Sequence, residues 1–91
     1  MESAHAEVFL LKEINRQHIN RGIRVFGTVV FIDIARSVCQ IEHGGTLLWL
    51  DTAIIDMTGV AIDSMFQFFG VLMSNDGLKV SLNAFTAISK S

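Results

Sequence analysis

Two apolar stretches, Ile23 to Ile34 and Ser64 to Ser74, are crowded with β-branched and aromatic residues, and each carries one interior glycine. The first reads Val25-Phe26-Gly27-Thr28-Val29 and the second Phe68-Phe69-Gly70-Val71-Leu72. Residues of this type suit a pleated, half-buried strand. A strand of that length seldom stays straight, and a lone glycine marks the bulge or corner where it bends, because no Cβ obstructs the close approach. Two glycine-bent strands predict a barrel, and closure removes the exposed edges that an open sheet would have to protect.

The remaining elements fit around them. Val8-Phe9-Leu10-Leu11 is a short apolar lead-in, and the polar run from Lys12 to Gly22 suits a turn of helix with Gly22 as its stop. Ala35-Arg36-Ser37 turns the chain, Val38 to Glu42 returns, His43-Gly44-Gly45 turns again, and Thr46 to Asp51 is a third strand. Residues 52–63, behind an Asp51 or Thr52 N-cap, suit a short helix or an irregular plug that Gly59 keeps short. Asn75-Asp76-Gly77 supplies a tight hairpin turn. Leu78 to Phe85 then alternates, with Leu78, Val80, Leu82 and Ala84 inward and Lys79, Ser81, Asn83 and Phe85 outward. The expected fold is all-β, a single domain over residues 1–91. It is a five-stranded Greek-key OB-fold barrel with a short helix or loop between strands 3 and 4.

Composition narrows the function. Hydrophobic residues make up 51% of the chain and charged residues 18%, with a net charge of −2. That excludes a disordered tail and a protein that holds polyanions by bulk charge. Residues 37–78 hold Glu42, Asp51, Asp56, Asp63 and Asp76 and no Lys or Arg, so one region of the barrel is acidic. The one cysteine, Cys39, has no partner for a disulfide and reads as a small core residue in a reducing compartment. No apolar run reaches the roughly 20 residues of a membrane span. The opening Met1-Glu2-Ser3-Ala4-His5 lacks a basic leader, so cytoplasm or nucleus is expected.

Chemistry-bearing groups are few. His5, His18, His43 and Cys39 match no zinc spacing, and no phosphate loop, nucleophile elbow or useful carboxylate pair occurs. The chain is expected to be no enzyme and to need no cofactor or metal. Nucleic-acid contacts on an OB barrel need cations along the phosphates and aromatic faces for the bases, the latter worth roughly 1–3 kcal/mol per base. Candidates are Arg24, Arg36 and Lys79 for charge and Trp49, Phe31 and Phe85 for stacking. Each aromatic also fits core packing, and each Arg also fits a solvated surface. On the fourth strand, Phe66, Phe68 and Leu72 inward leave Met65, Phe69, Val71 and Met73 outward, a Met- and Phe-rich wall suited to a dry protein interface. The reversed phase is the alternative.

The segment from Gly22 to Gly45, above all Arg24-Val25-Phe26-Gly27, resembles the start of the smallest (Ten-type) subunit of the CST telomere-capping complex. Ser64 to Leu72 is similar to that family's fourth strand and Lys79 to Ala87 to its fifth, so the likeness spans roughly residues 8–87. The replication protein A small subunit is similar in architecture, and a subunit of that kind in a general single-stranded-DNA-binding complex, or an autonomous OB nucleic-acid-binding module, is the alternative. The CST resemblance implies a nuclear, telomeric protein bound to the middle CST subunit and, through it, to the large subunit. It further implies protection of single-stranded telomeric DNA and indirect contact with polymerase α–primase for C-strand fill-in. In that family a helix after the fifth strand packs on the partner. Here Ala87 to Ser91 leaves no room for one, which implies either a shortened chain or docking by the barrel wall.

Overall fold

The computed structural model describes residues 7–75 and 79–90, without the side chains of Asn75 and Lys79. Six strands follow in chain order: β1 (Glu7–Phe9), β2 (Gly22–Asp33), β3 (Val38–His43), β4 (Thr46–Asp51), β5 (Met65–Asn75) and β6 (Lys79–Ser89). The sheet order is β1-β2-β3-β4-β6-β5, and pairing of β5 back to β2 closes strands β2 to β6 into a five-stranded barrel. This is the OB-type architecture expected, with β4 and β6 the one parallel pair inside the closed ring.

Closure depends on β2 serving two neighbours. Gly22 to Thr28 pair with β5, whereas Thr28 to Asp33 pair with β3, so the strand changes partner beside Gly27. A Cβ on Gly27 would lie 2.9 Å from the Glu42 carbonyl oxygen and 3.2 Å from Ile41 Cβ, which is why only glycine fits the corner. Gly70 is tighter still: a Cβ there would run into the Asn83 carbonyl and sit 2.9 Å from Ala84 Cα. Beside it the β5–β6 ladder slips, Phe69 opposing Thr86 and Gly70 opposing Ala84, which leaves Phe85 as the extra residue of a bulge. A second slip, between Val29 and Phe31 on β2, was not anticipated.

Both slips reset the inward–outward alternation. On β2, Ile23, Val25 and Val29 point into the core, Val30 and Phe31 are exposed together, and Ile32 returns to the core. The inner rows meet Cys39 and Ile41, Leu48 and Leu50, Phe66, Phe68 and Leu72, and Leu82 and Ala84. Each such large side chain contributes about 1.5–3 kcal/mol when fully buried. The inward phase expected for β5 and for the described part of β6 holds.

Several expectations change. Gly22 is no helix stop. It opens β2, and the left-handed residue at this junction is Asn20, with φ 71°. Asn20 N–H donates to the Leu72 carbonyl at 2.7 Å, so pairing with β5 begins before β2 does. The lead-in is a strand, β1, parallel to β2, followed by two short 3-10 helices, Leu11–Glu13 and Arg16–His18. Between β4 and β5, of the helix or irregular plug expected, it is the irregular plug that forms. Asp51 Oδ1 accepts from Ala53 N–H at 3.0 Å and Asp56 Oδ1 from Thr58 N–H at 2.9 Å, two turns in succession that a helix cannot follow. Gly59 and Asp63, at φ 85° and 72°, complete the irregular plug, which packs Ile55, Met57 and Val60 against the core. The first long strand ends at Asp33 and the last runs on to Ser89, beyond Phe85. The 76–77 turn and inward Leu78 lie outside the described residues.

Candidate functional site

The outer surface of the barrel carries two faces, each organised by one of the slips. The β2 slip turns Phe31 outward, opposite Gln40, which itself opposes Trp49. Trp49 pairs in turn with Ser81, and Ser81 with Met73. Phe31 and Trp49 meet edge to face, 5.8 Å between centroids and 87° between planes, a geometry that aligns a positive ring edge with a negative face. They remain 43% and 40% exposed, respectively. Beside them opens a groove of about 670 Å³ lined by Arg36, Ser37, Val38, Trp49, Asp51 and Val80 among others. Its size falls in the range of about 300–1,000 Å³ typical of ligand clefts.

Among the described side chains, charge on this face is mostly negative. Asp33 and Asp51 both flank Val38 in the cross-strand register, and Glu42 stands further along β3. Asp33 Oδ1 accepts from Arg36 N–H at 3.2 Å, and its Oδ2 lies 3.8 Å from Arg36 Nε. The Arg36 side chain is 83% exposed, so this pair is solvent-screened and contributes at most a few tenths of a kcal/mol, about 0.3.

The second face lies across the barrel, on β5, the first half of β2 and the end of β6. Phe69 sits opposite Arg24 on one side and Thr86 on the other. The bulged Phe85 swings onto it edge to face, centroids 5.8 Å apart and planes at 64°. A Cβ on Gly22 would touch the Phe69 ring at 3.5 Å, so the ring lies over that glycine. Ile88 opposes Gln67 and is 55% exposed, and Met65 opposes Thr28 at the far end of the wall.

The residues proposed from sequence therefore divide by face. Arg36 and Trp49 come together in the groove, with the backbone of Lys79 two residues before Ser81 on the same strand; its side chain lies outside the described set. Arg24 and Phe85 join the wall, beside Phe69 and Val71, and not the groove. Met65, Phe69 and Val71 line the wall, whereas Met73 sits at the seam, in the row that leads to Trp49. Sequence reasoning missed Val38 and Val80 in the groove and Ile88 on the wall. The apolar run continuing through Ala87-Ile88 was the available signal for the last.

Other reactive groups are spent on structure. Cys39 is fully buried, and burial pushes its thiol up to about 11. The Thr58 backbone N–H, with its hydroxyl, holds the exposed Asp56 carboxyl below its ordinary value. His43 ends β3 with its ring edge to face on Phe26, 4.9 Å between centroids. Among the described residues, no three His, Cys, Asp or Glu side chains are grouped to hold a metal ion.

Residues 2–88 match the family of telomere-capping, CST complex subunits. The chain belongs to that family. No curated protein sequence matches this CST subunit. Among solved structures it is similar to the telomere capping protein Ten1 from Saccharomyces pombe. That match has a TM-score of 0.76 at 14% identity over 93% of this chain and 81% of that one. It is similar, too, to a chain of the S. pombe Stn1–Ten1 complex, with TM-score 0.76 and 16% identity over 97% of this chain and 79% of that one. An OBody, AM1L10, bound to hen egg-white lysozyme gives a TM-score of 0.73 at 13% identity, covering 91% and 92%. At such identities these likenesses speak for the fold, and the family match carries the CST assignment.

Proposed function

We propose that this CST subunit is a non-catalytic OB component of a telomeric single-stranded-DNA-binding complex in the nucleus, and that its main task is to hold a partner OB subunit. The observation that carries this reading is the wall: an edge-to-face Phe69–Phe85 pair, with Ile88, Met65 and Val71 around it and Arg24 and Lys90 as cations at its margins. Aromatic and Met-rich surface with little charge is the composition of a dry protein interface. The partner is the middle CST subunit, the counterpart of Stn1 in the S. pombe Stn1–Ten1 complex. That the OBody was solved bound to lysozyme supports a protein-binding role for a barrel of this shape.

DNA plays a lesser part for this subunit. Arg24, at the margin of the wall, adds a salt-sensitive phosphate contact to those of the assembled complex, whereas Arg36 and Trp49 stand beside Asp33 and Asp51 and add little. End protection and C-strand fill-in, with the large subunit and polymerase α–primase, follow through the middle subunit. The test is co-expression with the middle subunit followed by gel filtration. Phe69→Asp and Phe85→Asp are expected to abolish copurification while the free variants still melt cooperatively. Arg24→Ala is expected only to weaken DNA binding by the complex, more so at low salt than at high salt. Stoichiometric copurification of both Asp variants would overturn the reading.

A further inference from the structure

The groove beside Trp49 poses a separate question, because its position suits a ligand and its charge does not suit the ligand an OB barrel usually takes. β3 and β4 lie wholly within residues 37–78, a span with five acids and no Lys or Arg. Among the described side chains, Arg36 is the cation at the groove, and it leans on Asp33. Asp33 and Asp51 stand two strands apart, about 10 Å at the usual inter-strand spacing. A phosphate on Trp49 therefore lies within a Debye length, about 8 Å, of carboxylate charge.

We propose that this groove docks an extended segment of another protein, one that alternates Lys or Arg with aliphatic residues. An aliphatic side chain fills the space over Val38, Val80 and the Trp49 ring, and the basic ones reach Asp33, Asp51 and, along β3, Glu42. A cation is attracted by an indole face, so Trp49 favours the same partner on two counts. The groove lies across the barrel from the wall, so this interaction does not rest on the assignment of the wall to the middle CST subunit.

The experiment uses fluorescence anisotropy of three labelled probes with the whole chain: an eight-residue peptide alternating Lys or Arg with Leu or Val, the same peptide with Glu at every basic position, and a twelve-nucleotide oligothymidylate. Trp49 is the single tryptophan, so its emission reports whether a probe enters the groove. The basic peptide is expected to bind, to shift Trp49 emission and to outcompete the other two. The double variant Asp33→Asn with Asp51→Asn keeps both turn acceptors, Oδ1 included, and is expected to lose about three- to tenfold in affinity for the basic peptide. No binding of the basic peptide, equal binding of the acidic one, tighter binding of the oligothymidylate, or unchanged affinity in the double variant would each overturn the proposal. Phe69→Asp is expected to leave peptide affinity within twofold, which separates failure of the groove from failure of the wall.

Discussion

The groove face and the wall share one device and differ in one property. Each presents an edge-to-face aromatic pair at 5.8 Å, and each pair exists because a register slip turns a ring outward, Phe31 on β2 and Phe85 on β6. Around Phe31 and Trp49 stand Asp33, Asp51 and Glu42; around Phe69 and Phe85 stand Gln67, Thr86, Val71 and Arg24. Similar aromatic geometry in different charge settings selects different partners. The wall, with cations only at its margins, suits a broad dry interface, where water is excluded by area, and the acidic groove suits a narrow segment recognised by charge. Aromatic exposure alone does not mark a nucleic-acid site.

Variants can break this contrast. The largest effect is expected at the slip that builds the wall. Gly70→Ala drives a methyl into backbone of Asn83 and Ala84, and is expected to cost about 3 kcal/mol or more, whereas Gly27→Ala, against Glu42 and Ile41, costs about 1–3 kcal/mol. Urea denaturation of both variants checks the order; equal midpoints would show that the two corners are equivalent. Next in size is partner binding. Phe69→Asp is expected to weaken the heterodimer by about 2–4 kcal/mol, and Trp49→Ala to leave it unchanged, as read by titration calorimetry.

A pH effect sharpens the view of the strand beneath the groove. Burial favours the neutral Cys39 thiol and raises it from 9.0 to about 11 in the fold. The unfolded chain therefore gives up its proton first. Stability is unaffected by this group below pH 9 and falls as pH rises through 11, by about 3 kcal/mol in all. Denaturation from pH 8 to 11, compared with Cys39→Ala, measures it; parallel pH profiles for the two proteins would contradict the burial argument. The smallest effect is the aromatic coupling. Double-mutant cycles to Leu on Phe31–Trp49 and on Phe69–Phe85 are expected to give about 0.5–1.5 kcal/mol each in the free subunit, similar on the two faces.

The barrel was legible in the sequence where local chemistry and tertiary need coincide. Gly27 and Gly70 mark the close approaches in the fold, and the alternation around Phe66, Phe68 and Leu72 gives the phase of β5. What lay beyond reading came from long-range pairing. The β2 slip at Val30 leaves no glycine behind it, so the outward turn of Phe31 followed only from the register with β3. Residues 52–63 hold helix-compatible apolar spacing, yet two side-chain turns at Asp51 and Asp56 satisfy the backbone another way. Arg24 and Arg36 look alike in sequence; strand order alone puts them on opposite faces, and β1 gains its place only from the stretch of β2 that β3 leaves unpaired.

Hydroxyl-radical footprinting of the subunit, free and bound to the middle CST subunit, tests the division of labour between the faces most directly. The wall assignment predicts that oxidation of Met65, Phe69 and Phe85 slows severalfold in the complex while Phe31 and Trp49 oxidise as before. Slower oxidation of Trp49 and Phe31, with Phe69 and Phe85 unprotected, would contradict it.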